Sequence, residues 1–206
     1  MFNKLRVGIK TNNGWLWLVF CITFFSGSAG FAAATKDGSN AVQVTEFFTY
    51  MCHACHRLEP HVVEWKKANN VRIKKASFVK VPLTFDIPGL TNQAKAFEVA
   101  KANGKADSFS DLMFEKIHSR GQYMEEEKEL FRLLEELGIP SDRIKKQFHS
   151  KQIKQRVSEC EEERKKYKIT VMPTIIVRDK AITPVTAKGY KNVFVLVDKE
   201  LYASED

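Results

Sequence analysis

Two cysteines three positions apart, Cys52 and Cys55, are the residues of this 206-residue chain best placed to do chemistry. They lie in the stretch MCHACH, which ends at His56. Cys-x-x-Cys-His matches the attachment site of a c-type haem, and Cys-x-x-Cys alone matches a redox-active pair. Cysteines beside histidines are also common ligands of zinc. The motif leaves these three chemistries open, so the elements around it must distinguish them.

The elements on either side of the motif are a strand and a helix. Residues 41–50 predict a buried, central strand, because apolar side chains occupy both of its faces. Apolar residues at helical spacing predict a helix that starts at Cys52 and stops at Asn69-Asn70. A second strand is predicted over residues 71–81. The motif is therefore expected at the junction between a buried strand and the start of a helix.

The rest of the chain predicts an insertion of helices before the sheet resumes. One helix begins at the cap candidates Asp107 and Ser108, and the last one covers residues 151–168. The strand period returns over residues 174–179. ITPVTAKGY is a candidate partner strand, and NVFVLVDKELY fits a helix or a strand. This order of elements predicts an α/β fold with a helical insertion.

The predicted strand and helix fit the three chemistries unequally. Successive helical positions point about 100° apart, so Cys52, His53, Cys55 and His56 cannot all converge on one tetrahedral zinc ion. A c-type haem needs a second axial ligand and an apolar pocket. Cytochrome c domains are also largely helical, whereas here the motif directly follows a predicted buried strand. A redox pair fits best, because the free N–H groups at a helix N-terminus stabilise negative charge on the Cys52 sulfur.

The stretches EFFTYMCHACHRLEP and VMPTIIV, with the helical block between them, resemble the DsbA family of periplasmic thioredoxin-fold thiol:disulfide oxidoreductases. The likeness spans residues 42–202. It implies a thioredoxin fold with an inserted helical domain and a redox-active disulfide between Cys52 and Cys55. It also implies donation of that disulfide to reduced, unfolded exported proteins and reoxidation by a membrane quinone-linked partner of DsbB type. Neither a cofactor nor a metal is expected.

The resemblance also implies roles for residues outside the motif. Pro173 would be a cis-proline beside the disulfide, and Met172, Pro173 and Thr174 would bind extended substrate. Glu46 would shuttle the proton of Cys55, with Lys75 as its predicted partner.

Within the motif, His53 is a candidate for stabilising the Cys52 thiolate, and His56 is expected to face solvent. Two departures concern redox strength: His53-Ala54 stands where the family's oxidases usually have Pro-His, and Met172 stands where Val or Thr is common. A reductase or isomerase on the same fold, and a haem-binding or haem-maturation partner, therefore stay open as alternatives.

The first residues predict export. Positive charges precede an apolar run at residues 15–25, and Ala32-x-Ala34 offers a cleavage site, although a retained inner-membrane anchor is the alternative. The net charge of +8 is spread along the predicted helices, so nucleic-acid binding is not expected. The protein is expected to be a monomer in the periplasm. The predicted segments are a signal peptide (1–34), a first thioredoxin-like part (35–85), an inserted helical domain (86–165) and a second thioredoxin-like part (166–206).

Overall fold

A computed structural model of the chain describes residues 41–72 and 76–203. The predicted signal peptide lies outside these residues, as does Lys75. Each of the described helices is too short or too polar to cross a bilayer.

Within the described residues, four strands form one mixed sheet in the order β2-β1-β3-β4. Strand β1 runs parallel to β2 and antiparallel to β3, and β3 is antiparallel to β4. The last five residues of β1 are buried, which confirms the prediction of a central strand. The strands are β1 (Val42–Phe48), β2 (Ala76–Pro82), β3 (Thr174–Val177) and β4 (Lys180–Ile182).

Two helices pack together beside this sheet, α1 (His53–Arg72) and α7 (Tyr190–Tyr202). Their apolar residues form one buried cluster with those of β1 and β3. The indole Nε1–H of Trp65 on α1 also donates to Asp198 Oδ1 on α7 at 2.7 Å. The final segment, which fitted either a helix or a strand, is therefore a helix with its apolar face against the sheet.

The remaining helices are inserted between β2 and β3, and the whole is a thioredoxin fold with an inserted helical domain. Their apolar residues share one buried cluster with Phe48, Tyr50 and Cys55. The core of the insertion thus extends directly beneath the motif. The inserted elements are α2 (Pro88–Ala102), α3 (Ala106–Phe114), a π-helical turn (Glu115–Ser119), α4 (Glu127–Glu136), α5 (Ser141–Phe148) and α6 (Lys151–Lys166).

Two boundary predictions are wrong. Helix α1 continues past Asn69-Asn70 to Arg72, so β2 begins at Ala76 instead of residue 71. Asparagine is only a weak helix breaker, and local propensity yields to tertiary packing.

The predicted caps of α3 are also wrong. Asp107 and Ser108 lie inside α3, which begins at Ala106 after an N-cap, Lys105, that makes no side-chain capping bond. Asp107 instead accepts two hydrogen bonds from Lys66 Nζ at 2.8 Å.

Candidate active site

Cys52 lies at the junction between the sheet and α1. Its N–H donates to the Thr49 carbonyl at 3.2 Å, which closes a tight turn after β1. Its own carbonyl accepts from His56 N–H at 3.1 Å, the first hydrogen bond of the helical ladder. Cys52 therefore directly precedes the helix, where the first N–H groups have no partner within the helix.

The Cys52 sulfur is placed to be an anion. It accepts a hydrogen bond from the backbone N–H of Cys55 at 3.2 Å. The hydrogen bond from the Cys55 thiol lowers the pKa of Cys52 most, and the N–H groups of Cys55 and Ala54 with the charge of Arg57 add to it. These effects outweigh partial burial and bring the pKa to about 6. At neutral pH the sulfur is mainly a thiolate, the reactive form of cysteine.

Cys55 has the opposite environment one turn further along α1. Its side chain is fully buried, and burial together with the hydrogen bond to Cys52 and the negative charge there raises its pKa strongly. Both thiols are free, so the structure describes the dithiol form. The pair consists of one half-exposed thiolate and one buried thiol.

The segment that enters β3 lies against this pair. The Met172-Pro173 peptide bond is cis, and the Met172 carbonyl oxygen is 3.8 Å from Cys52 Sγ. Met172 is half-buried, whereas Pro173 and Thr174 are buried. The Thr174 hydroxyl donates to the Val171 carbonyl at 2.6 Å. The chain thus brings residues 120 positions apart into contact at one sulfur.

Glu46 lies inside the protein, on β1. It has no exposed surface, and neither of its carboxylate oxygens has a hydrogen-bond partner among the described residues. Burial raises its pKa to about 8, against the opposing attraction of Lys80. At neutral pH Glu46 therefore mainly holds its proton.

Among the described residues, the cation beside Glu46 is Lys80, whereas the predicted partner Lys75 lies outside them. The parallel register pairs Glu46 with Lys80, whose Nζ is 3.9 Å from the carboxylate and also forms an ion pair with Glu59. Burial opposes the charge of Lys80, but the two carboxyl groups outweigh it and raise the lysine pKa. Sequence reasoning missed Glu59 too, although it follows Cys55 by four residues and so lies on the same face of α1.

The histidines of the motif contact a third histidine, His118, on the π-helical turn. The His56 ring stacks on His118 with centroids 4.6 Å apart, so the prediction that His56 faces solvent is wrong. The exposed His53 ring meets the same His118 ring edge-on at 4.5 Å. The role of His53 toward the Cys52 thiolate stays a prediction. No sequence signal pointed to His118, which is 62 residues from His56.

The fold and this pair of unlike sulfurs define a thioredoxin-fold protein with a redox-type dithiol at a helix start. Residues 43–199 match the family described as the DSBA-like thioredoxin domain, and the chain belongs to that family.

Individual relatives agree with this assignment. The chain is 27% identical to the thiol:disulfide interchange protein DsbA of Burkholderia cepacia over 68% of its length. That match covers 64% of the relative, just under two thirds. This chain is also 24% identical to the thiol:disulfide interchange protein DsbA of Pseudomonas aeruginosa, over 80% of this chain and 78% of the relative.

Solved structures show the same fold. The crystal structure of Pseudomonas aeruginosa DsbA matches with a TM-score of 0.72 and 22% identity, over 84% of this chain and 90% of that one. The DsbA oxidoreductase of Xylella fastidiosa matches with the same TM-score and identity, over 81% and 87% of the two chains.

Proposed function

We propose that this protein is a thiol:disulfide oxidoreductase that donates a disulfide, formed by Cys52 and Cys55, to reduced and unfolded exported proteins. The observation that carries the proposal is the opposed environment of the two sulfurs. Cys52 accepts hydrogen bonds that favour its thiolate, whereas Cys55 is buried as a thiol. Stabilising the dithiol form in this way makes the corresponding disulfide a stronger oxidant.

In the first step, a substrate thiolate attacks Cys52 Sγ of the disulfide. The new bond joins substrate sulfur to Cys52, and the bond to Cys55 breaks with its electron pair on Cys55. Cys52 is the sulfur that substrate reaches, because its side chain is half-exposed while that of Cys55 is buried. Cys55 then needs a proton, since burial strongly disfavours its anion.

Glu46 supplies that proton in our proposal. It is mainly protonated at neutral pH, and its charge acts on Cys55. After the transfer, the Glu46 carboxylate is stabilised by Lys80 until it regains a proton from solvent.

In the second step, another substrate thiolate attacks the substrate sulfur of the mixed disulfide. Cys52 leaves as a thiolate, for which a pKa of about 6 makes it a good leaving group. The substrate has lost two electrons and gained a disulfide, and the protein has gained both as a dithiol. Met172, Pro173 and Thr174 would bind the extended substrate chain, since the Met172 backbone borders the reacting sulfur. His53 would act on the same thiolate from the outer side of α1.

The dithiol must be reoxidised for a second turnover. We propose a membrane quinone-linked partner of DsbB type, with the protein acting as a monomer in the periplasm after removal of residues 1–34. The thioredoxin-like parts would be residues 35–85 and 166–206, and the inserted helices residues 86–165. Neither a cofactor nor a nucleic acid takes part.

Two measurements test the proposal. Equilibration with glutathione should show a Cys52–Cys55 disulfide less stable than that of glutathione, and the oxidised protein should convert reduced, unfolded ribonuclease to its disulfide form. The Cys52→Ala variant should lose this activity and Cys160→Ala should keep it. A disulfide much more stable than that of glutathione would favour a reductase instead. A Soret band in the purified protein would favour the haem alternative.

A further inference from the structure

His118 lies at the point where the inserted helices meet the motif. It belongs to the π-helical turn Glu115–Ser119, which directly continues α3. Such turns are rare and occur frequently at functional sites. The His118 Nε2 atom is 2.8 Å from the carbonyl oxygen of Tyr50, two residues before Cys52.

The chemistry of this contact defines the protonation state of the ring. A carbonyl oxygen only accepts, so Nε2 must carry the proton and donate it. Nδ1 of the neutral ring is then a bare acceptor, and it is buried without a partner among the described residues. Unpartnered buried acceptors are uncommon in folded proteins and call for an explanation. Here the hydrogen bond from Nε2 to Tyr50 and the contacts with His53 and His56 fix the orientation of the ring, and this orientation leaves Nδ1 without a hydrogen bond among the described residues.

The His118 ring contacts the residues that follow Cys52 in the sequence. His56 stacks on His118 with the two planes 6° apart, and His53 meets it edge-on. Both are in the first turn of α1. One side chain thus contacts the loop before Cys52 through a hydrogen bond and the helix after Cys52 through its ring.

This cluster does not have the geometry of a metal site. The lone pairs of imidazole lie in the plane of the ring, and the stacked rings of His56 and His118 confine their lone pairs to two nearly parallel planes. They cannot converge on one ion. The Nε2 atom of His118 is also engaged with Tyr50.

We propose that His118 is a positioning residue that holds the Cys52 sulfur against the N-terminus of α1 by fixing the Tyr50 carbonyl. The N–H groups of Ala54 and Cys55 stabilise the thiolate only while the loop keeps Cys52 in register with the helix. In this proposal the hydrogen bond that His118 donates to the Tyr50 carbonyl holds the loop, and the stacking of the ring on His56 orients that hydrogen bond. This inference rests on the proposed function, and names a residue of the insertion that controls the redox pair.

Variants can separate the donor from the ring. His118→Phe keeps an aromatic ring and loses the donor, whereas His118→Gln keeps an N–H donor and loses the ring. We expect the pKa of Cys52, followed by thiolate absorbance, to rise by about half a unit or more in His118→Phe and to stay close to wild type in His118→Gln. The equilibrium constant for oxidising glutathione should fall about threefold in His118→Phe alone. His149→Phe is the matched control, because His149 contacts Phe131 and Phe148 away from the motif.

The outcomes are decisive in either direction. A shift in His118→Gln as large as that in His118→Phe, or larger, would overturn the inference, because the donated hydrogen bond would then not account for the effect. Unchanged Cys52 titration in both folded variants would overturn it as well. The two proposals fail separately, because the wild-type pKa of Cys52 tests the proposed function, and the difference between variants tests His118.

Discussion

The Glu46 carboxylate and the Lys80 ammonium lie 3.9 Å apart inside the protein, on residues paired by the parallel register of β1 and β2. Lys80 also pairs with Glu59, so one cation is shared by two carboxyl groups. The attraction of Lys80 does not offset the burial of Glu46, and burial raises the pKa of Glu46 from 4.5 to about 8. This arrangement keeps a protonated carboxyl group close to Cys55 at the expense of stability.

We therefore expect Glu46→Gln to stabilise the dithiol form in a pH-dependent manner. The folded-state pKa lies above the unfolded one, so the folded protein holds the proton more tightly. This contribution is fully present below pH 4.5 and is lost as the pH rises through about 8. The gain in free energy of unfolding should therefore be small in acid and reach the order of a few kcal/mol above pH 8, measured by urea denaturation.

The exposed residue Glu162 provides the control for that experiment, because Glu162→Gln changes the same charge outside the buried cluster. A gain from Glu46→Gln that did not increase with pH would contradict the raised pKa. The proposed proton transfer also predicts that in Glu46→Gln the Cys55 sulfur leaves the disulfide more slowly when a substrate thiolate attacks Cys52.

The thiol of Cys55 should control the ionisation of Cys52. Its hydrogen bond is the largest effect that lowers the pKa of Cys52. Cys55→Ala should raise that pKa from about 6 by roughly one unit, whereas Cys55→Ser keeps a donor and should raise it less. Thiolate absorbance against pH measures both, and identical titration of the two variants would show that the backbone N–H groups suffice.

A carboxylate of α6 should hold the loop that joins β2 to α2. Glu161 Oε1 accepts from the N–H groups of Thr84 and Phe85 at 2.7 and 3.1 Å, and Oε2 accepts from Arg164 at 2.6 Å. Burial opposes its charge, but these hydrogen bonds outweigh burial and lower the pKa of Glu161. The stabilisation is therefore present at neutral pH and is lost as the carboxylate is protonated in acid.

Replacing that carboxylate leaves buried N–H groups without an acceptor. Glu161→Ala should lower the free energy of unfolding at neutral pH by about 2 to 4 kcal/mol, since each such group costs roughly 1 to 3 kcal/mol. Urea denaturation measures the loss, with the exposed Glu162→Ala as control. A loss no larger than that of the control would mean that water replaces the carboxylate.

Cys160 should be chemically silent in the folded protein. It is buried with Phe47 and Ile176, and burial raises its pKa to about 12. We expect iodoacetamide to modify Cys52 but not Cys160 in the native dithiol form, and to modify Cys160 after unfolding in urea. Mass spectrometry of the digested protein measures both, and rapid native labelling of Cys160 would reveal an opening of this part of the core.

Much of the site was readable from the sequence because it is local. A strand that is apolar on both faces, a cysteine at a helix start and a second cysteine one turn later are properties of adjacent residues. They predicted the central position of β1 and the stabilised negative charge on the Cys52 sulfur. The order of the elements predicted an α/β fold with a helical insertion, and the stretches that resemble the DsbA family implied the thioredoxin fold.

Tertiary structure alone decided which distant residues meet this local unit. The partner of Glu46 depends on the register between two strands, which the sequence pattern does not specify. His56 was expected to face solvent, yet the π-helical turn brings the His118 ring onto its face. Hydrophobic periodicity shows which face of an element is buried, but not which element covers it. That choice depends on how the whole insertion packs on the sheet.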